Sequence, residues 1–202
     1  MDYINFMNTM RRNRVELFTL QDLEVFYPKT RLKTIKNNLR NWLLKGYIKR
    51  LKRNLYMNVQ VYEKNIPCYY MANKLYEQSY VSLETALSFY NIIPEEVSEI
   101  TSVTTKPTRT IKNEYGVFIY RTCKKNAFYG YNIMKIEMYK TFIADREKAL
   151  VDFVYYRIID GQTDFSEERF NEKLLPKLNS KKAEMYAEKF NKKTLETIKQ
   201  IL

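Results

Sequence analysis

Ten cationic side chains, Lys29, Arg31, Lys33, Lys36, Arg40, Lys45, Lys49, Arg50, Lys52 and Arg53, lie between Glu24 and Glu63 with no acid among them. Guanidinium and ammonium groups at this density suit the neutralisation of phosphates, and the Asn and Thr side chains between them suit hydrogen bonding to base edges. A second group, Asp145, Glu147, Lys148 and Asp152, has residue types that can hold Mg²⁺ and activate water. Its spacing favours another role. Asp145 to Lys148 reads as the first turn of a helix, where acids satisfy orphan N–H groups and the macrodipole, and Glu147 is adjacent to Lys148 instead of two residues before it. Asp152 stands at i+4 from Lys148, a pairing worth a few tenths of a kcal/mol if exposed.

The sequence has no histidine. That removes Ser-His-Asp and Cys-His catalysis, histidine-ligated zinc and the usual near-neutral proton shuttle. Cys68 and Cys123 lack metal-ligand or redox spacing and read as buried free thiols in a reducing cytoplasm. No catalytic residue, metal or cofactor is assigned, and the protein is expected not to be an enzyme. No apolar run has membrane-span length, and the first residues lack signal-peptide character, so the expected location is cytoplasmic with no membrane partner.

The elements that carry the cations follow from periodicity. Leu32, Ile35, Leu39, Trp42 and Leu43 recur at helical spacing and hold a helix by one stripe, leaving its other faces polar. At about 100° per residue, Thr30, Lys33, Thr34, Asn37 and Asn41 lie opposite that stripe, flanked by Arg31, Lys36 and Arg40. Thr30 is the expected N-cap, and Gly46 fits the left-handed position beyond the helix end. Two strand-like runs follow, Tyr47 to Leu51 and Leu55 to Met57, joined through Lys52, Arg53 and Asn54, with Asn54 able to take a positive φ. Upstream, a first helix from Asp2 to about Arg12 has Ile4, Met7 and Met10 on its expected buried side. A second begins after Thr19, which forms a capping box with Asp22, and stops near Tyr27-Pro28.

Three helices followed by a hairpin read as a winged helix-turn-helix with residues 30 to 45 as the recognition helix. A cationic helix alone reads as a solvated face. The adjoining basic wing, with Lys49, Arg50, Lys52 and Arg53, favours double-stranded DNA instead, with Arg53 near the tip. Charge distribution agrees: residues 1 to 60 hold 13 Lys/Arg against 4 Asp/Glu, and the rest hold 22 against 19, so the net charge of +12 belongs mostly to the first third. A local polyanion contact explains this better than a general lysine-rich habit, with nucleic acid preferred to membrane headgroups.

A linker is expected near residues 60 to 70, dividing a domain at 1–62 from one at 68–202. Beyond it, Ser82 opens a helix through Leu83, Ala86, Leu87 and Tyr90, and Pro94 with Glu95 and Glu96 opens a short helical turn. Strands are predicted at Thr101 to Thr105, Val117 to Arg121, Tyr131 to Ile136 and Tyr139 to Ile143. Helices return at Asp145 to Ile159 and over most of Ser166 to Leu202, interrupted near Pro176 and Asn179-Ser180. The tyrosines read mainly as packing, and Lys181, Lys182, Lys189, Lys192 and Lys193, alternating with Glu184, Glu188 and Glu196, as a solvated helix face. The fold class is α+β: an N-terminal winged helix-turn-helix, then a mixed α+β domain with a helical C-terminus.

Three segments in order resemble the AbiEi family of antitoxins from type IV toxin-antitoxin, or abortive infection, systems. The first is Leu43 to Leu51 with Arg53-Asn54-Leu55-Tyr56, where Asn54 stands in place of the glycine of most members. The second is Tyr80-Val81-Ser82-Leu83-Glu84-Thr85-Ala86-Leu87 with Asn91-Ile92-Ile93-Pro94 and Val103-Thr104-Thr105. The third, and most specific, is Phe128-Tyr129-Gly130-Tyr131 with Ile143 to Asp152, where Asp145 replaces a serine N-cap and Arg146 a proline. The resemblance spans roughly residues 15 to 160. It implies a winged-helix repressor that binds inverted repeats in its own promoter, two copies on DNA, from a monomer or dimer in solution. It also implies a C-terminal domain that neutralises a nucleotidyltransferase-like toxin without necessarily forming a stable complex. The alternatives are a stand-alone winged-helix regulator whose second domain binds a protein or small ligand, and a metal-dependent nucleic-acid-processing enzyme using the Asp145 to Asp152 acids.

Overall fold

A computed structural model describes residues 1–59 and 66–202, and the chain divides into two compact units, Met1–Ile66 and Pro67–Leu202. The first unit runs α1 (Tyr3–Asn13), β1 (Leu17–Phe18), α2 (Leu20–Phe26), α3 (Leu32–Leu44), β2 (Ile48–Lys52) and β3 (Leu55–Asn58). Its three strands form one antiparallel sheet in the order β1-β3-β2. The sequence does not announce β1, because two residues are too short to show alternation. Leu17 and Phe18 are nonetheless buried and pair with Met57 and Tyr56.

Phe6, Met10, Phe18, Leu23, Ile35, Leu39, Trp42 and Ile48 form this unit's core. Ile4 corrects the sequence reading: it is 74% exposed, and the inward stripe of α1 is Tyr3, Phe6, Met7 and Met10. One residue turns a helix by about 100°, so a stripe that uses Tyr3 excludes Ile4. Tyr3 takes the inward place because its ring stacks on Tyr47 at 4.4 Å and meets the edge of Trp42 at 5.5 Å. The capping box of α2 forms as expected, with Asp22 N–H donating to Thr19 Oγ1 at 3.2 Å and Thr19 N–H to Asp22 Oδ2 at 2.7 Å.

The expected linker at 60 to 70 falls partly outside the described residues, at 60–65. It does not extend to residue 70, because α4 (Cys68–Leu75) begins there and buries Met71, Ala72, Asn73 and Leu75. The second unit continues with β4 (Ser79–Val81), α5 (Leu83–Phe89), β5 (Glu99–Thr104), β6 (Arg109–Asn113), β7 (Gly116–Thr122), β8 (Tyr131–Ile136), β9 (Tyr139–Ala144), α6 (Arg146–Ile159), α7 (Ser180–Ala187) and α8 (Lys192–Ile201). The six strands form a mixed sheet in the order β6-β7-β5-β4-β9-β8, parallel at β5/β7 and β4/β9. Helices α5, α7 and α8 pack on α6, whose residues Glu147 to Val154 are all buried. The chain is therefore α+β with a helical C-terminus.

Two expected helices are absent. Pro94, Glu95 and Glu96 are not helical: α5 ends in a Schellman arrangement with Asn91 at φ +56°, Asn91 N–H bonding Ser88 O and Ile92 N–H bonding Leu87 O. Ile92 and Ile93 are then drawn into the core and the chain continues without regular secondary structure to β5. Residues 166–174 also lack an α-helix. Pro176 sits in the 3₁₀ turn Leu175–Lys177, and Asn179 is the N-cap of α7, its side chain accepting from Lys182 N–H at 3.1 Å. Among the described residues no helix is long and apolar enough to cross a membrane.

Candidate nucleic-acid interface

Helix α3 is fixed from beneath by Ile35, Leu39 and Trp42, 1%, 4% and 6% exposed. Leu32, expected in the same stripe, is 41% exposed because it is the first helical residue and overhangs the core. Thr30 is not the N-cap. Thr34 and Ile35 donate to Arg31 O, so the helix starts at Leu32 with Arg31 as its cap residue, and Thr30 belongs to the preceding turn through its N–H to Tyr27 O. No side chain caps this end. Arg31, Lys33, Thr34, Lys36, Asn37, Arg40 and Asn41 are all exposed, and Thr30 is half-buried. Among the described residues, Lys33, Lys36 and Arg40 form no ion pair with an acid.

The C-terminal end of α3 sets the direction of the hairpin. Gly46 takes φ +68°, its N–H donates to Leu43 O at 3.1 Å, and Tyr47 N–H donates to Trp42 O at 2.9 Å. These two bonds make a Schellman motif that only a left-handed residue allows, so the chain turns back within three residues into β2. Strict alternation would put Ile48 and Leu51 on opposite faces. A register shift between Arg50 and Lys52 brings both inward, 1% and 3% exposed, and leaves Arg50 outside. Lys49 and Lys52 are half-buried, and Arg53 is exposed at the tip.

Asn54 supplies the positive φ expected of it, +60°. It also does something the sequence did not reveal: its Oδ1 accepts the Leu20 N–H at 3.1 Å and its Nδ2 donates to Gln21 Oε1 at 2.6 Å. The hairpin tip is thus tied to the first turn of α2, where backbone N–H groups lack helical partners. The polar Gln21, two residues after the Thr19 cap, was the available signal. The acids of this unit are largely engaged elsewhere: Asp2 caps α1, where the Asn5 N–H holds its carboxyl below the usual range, and Asp22 closes the capping box.

The acids Asp145, Glu147 and Asp152 of the second unit are each held by protein partners and form no open site. Asp145 caps α6 by accepting Lys148 N–H at 2.8 Å, and its other oxygen receives the Tyr186 hydroxyl at 2.7 Å and Lys182 Nζ at 3.0 Å. Glu147 accepts Asn179 N–H at 3.0 Å and Lys182 Nζ at 3.1 Å. Burial pushes the Glu147 carboxyl up, but the Asn179 N–H and the Lys182 ammonium outweigh it and hold it below its ordinary value. Lys182 is therefore a bridge, not part of a merely solvated face.

Lys148 and Asp152 form the i,i+4 pair that their spacing suggests, but both side chains are fully buried, so the small value of an exposed pair does not apply. Lys148 Nζ lies 2.6 Å from Asp152 Oδ1, while Asp152 Oδ2 receives the Tyr80 hydroxyl at 3.0 Å and Ser82 Oγ at 2.8 Å. Burial raises the Asp152 carboxyl, opposed by Lys148, and pushes the Tyr80 hydroxyl well up. Lys148 Nζ also sits 4.4 Å from the Phe190 ring centroid. Among the described residues no group of three or more Cys, Asp or Glu side chains is placed to hold a metal. Of the two free thiols, Cys123 is buried and pushed up to about 11 by that burial, whereas Cys68 is exposed, since it opens α4 behind Pro67 instead of packing beneath it.

The second and third resembling segments meet here. Tyr80 and Ser82 bond Asp152, Gly130 O accepts Asp145 N–H at 2.9 Å, and a Cβ on Gly130 would stand 2.8 Å from Tyr186 Cζ. Their residues do packing and hydrogen-bonding work in one core. Tyrosine pairs such as Tyr80–Tyr131 at 4.7 Å and Tyr129–Tyr186 at 5.3 Å are likewise packed against each other. A scan against protein-family models and a search of curated proteins give no match for this chain.

Proposed function

We propose that the protein is a DNA-binding transcriptional repressor in which residues 1–62 are a winged helix-turn-helix, α3 the recognition helix and β2–β3 the wing. The observation that carries this reading is the exposed face of α3, where Lys33, Thr34, Asn37 and Asn41 are flanked by Arg31, Lys36 and Arg40 above a buried apolar stripe. Asn, Thr and Lys on such a face read base edges in a major groove, and the flanking cations with Lys49, Arg50, Lys52 and Arg53 of the wing fix the register on phosphates. Two copies on an inverted repeat present their helices about one helical turn apart, or a multiple of it.

The role as antitoxin of a type IV system, with a nucleotidyltransferase-like toxin as its functional counterpart, is part of the same proposal and rests on the resemblance of residues 15 to 160. The second unit, 68–202, is the part assigned to neutralisation. Two experiments separate the claims. Replacing Lys33, Asn37 and Arg40 together with alanine removes retardation of the promoter fragment and leaves the melting curve nearly unchanged, because all three are exposed; repression surviving that change overturns the helix assignment. The antitoxin role requires a nucleotidyltransferase gene beside this one, and co-expression of this chain relieves the growth arrest that its product causes; absence of such a gene, or continued arrest, overturns that role alone.

A further inference from the structure

A cleft of about 570 Å³ opens in the second unit between the start of α5, the irregular segment before β5, and α6. Its floor is apolar, with Leu83, Ile93 and Phe153 at 4%, 7% and 1% exposure beside Val97 and Ile119. Its walls carry Glu84, Glu95, Glu96, Glu99, Asp160 and Glu168 against two cations, Arg121 and Arg157, a local excess of acid in a chain of net charge +12. Both arginines are already neutralised. Arg121 forms a two-pronged bond to Asp160 at 2.8 and 2.9 Å, and Arg157 meets Glu84 at 3.2 Å. Glu168 accepts from Gln162 Nε2 at 2.7 Å. Glu95, Glu96 and Glu99 are exposed and have no cationic partner among the described residues.

We infer that this cleft binds a basic peptide segment of a protein partner, its apolar side chain on the Leu83–Phe153 floor and its Lys or Arg groups on Glu95, Glu96 and Glu99. Charge selects the occupant. Three unpaired carboxylates repel anions and attract ammonium or guanidinium groups, and the apolar floor gives no purchase to a bare metal ion. The cleft is within the range that small ligands and short peptide segments occupy. Arg121 and Arg157, 25% and 42% exposed, add N–H donors that peptide carbonyls use and that an aliphatic polyamine, having no acceptor, does not. The site lies wholly in the second unit and does not depend on DNA binding by the first.

Isothermal titration of the full chain with acetyl-Leu-Lys-Leu-Arg-Leu-amide tests the inference. Saturable binding is expected, weakened at least about tenfold by Glu95→Gln/Glu96→Gln/Glu99→Gln, changes at exposed positions that leave the fold intact. Glu77→Gln/Glu172→Gln, exposed acids outside the cleft, serves as the control and leaves the affinity unchanged. In the unaltered protein the peptide slows hydrogen exchange over residues 93–99, which locates the site without any substitution. Absence of saturable binding, an unchanged affinity in the triple variant, no protection at 93–99, or equal binding of spermidine overturns the proposal. Promoter retardation measured on the same variant stays at the unaltered level, so loss of the peptide site and failure of the DNA reading are told apart.

Discussion

Lys148 and Asp152 stand one helical turn apart on a helix buried on all sides, so their pairing is a matter of core stability. A buried ion pair gains little over an apolar pair of similar shape, yet removing one partner strands the other. Lys148→Met is therefore expected to destabilise the second unit by about 3–5 kcal/mol. The double change Lys148→Met/Asp152→Leu costs less than the sum of the single changes, even though Tyr80 and Ser82 then lose their acceptor. A double-mutant cycle by urea unfolding checks this, and additive costs contradict it. Acid acts through other groups. The Glu147 carboxyl is held low by the Asn179 N–H and Lys182 against the effect of burial, and that of Asp160 by its bond to Arg121. Both bind fewer protons folded than unfolded, so their contribution is present above the unfolded carboxyl values near about pH 4 and is lost as pH falls through the folded ones. Unfolding followed by far-UV circular dichroism from about pH 5.5 to 3 shows the decline, and Glu147→Gln makes it shallower.

At the scale of elements, α3 and its hairpin owe their placement to two left-handed residues, Gly46 and Asn54. Asn54→Ala is expected to cost about 1–2 kcal/mol, since it combines an unfavourable φ with loss of the bonds to Leu20 and Gln21. Asn54→Gly keeps the backbone free and loses only those bonds, so it costs less. Trp42, the single tryptophan, lies in the first unit's core and reports this unfolding by its fluorescence. Helix α3 and the hairpin were legible in the sequence because a one-sided apolar period and local turn residues identify them. Strands β1 and β4 are two and three residues long, and β6 is a largely polar strand at the sheet edge, so none shows an alternating pattern. The burial of Lys148 and Asp152 was hidden for a different reason: an i,i+4 pair looks the same in sequence whether its helix is surrounded or exposed. The acidic cleft was invisible because its walls come from residues 84 to 168.

Across the whole molecule, charge is divided: the excess of cations lies in the first sixty residues, while the second unit carries near-balanced charge and an acid-lined cleft. An electrostatic grip on DNA by α3 and the hairpin has a quantitative signature, because each phosphate neutralised releases condensed counterions. The most direct measurement is the equilibrium affinity for the promoter fragment across a series of salt concentrations. If about 6 to 10 phosphates are contacted, log K falls with log salt at a slope of roughly −5 to −9. A nearly flat response contradicts the DNA-binding reading.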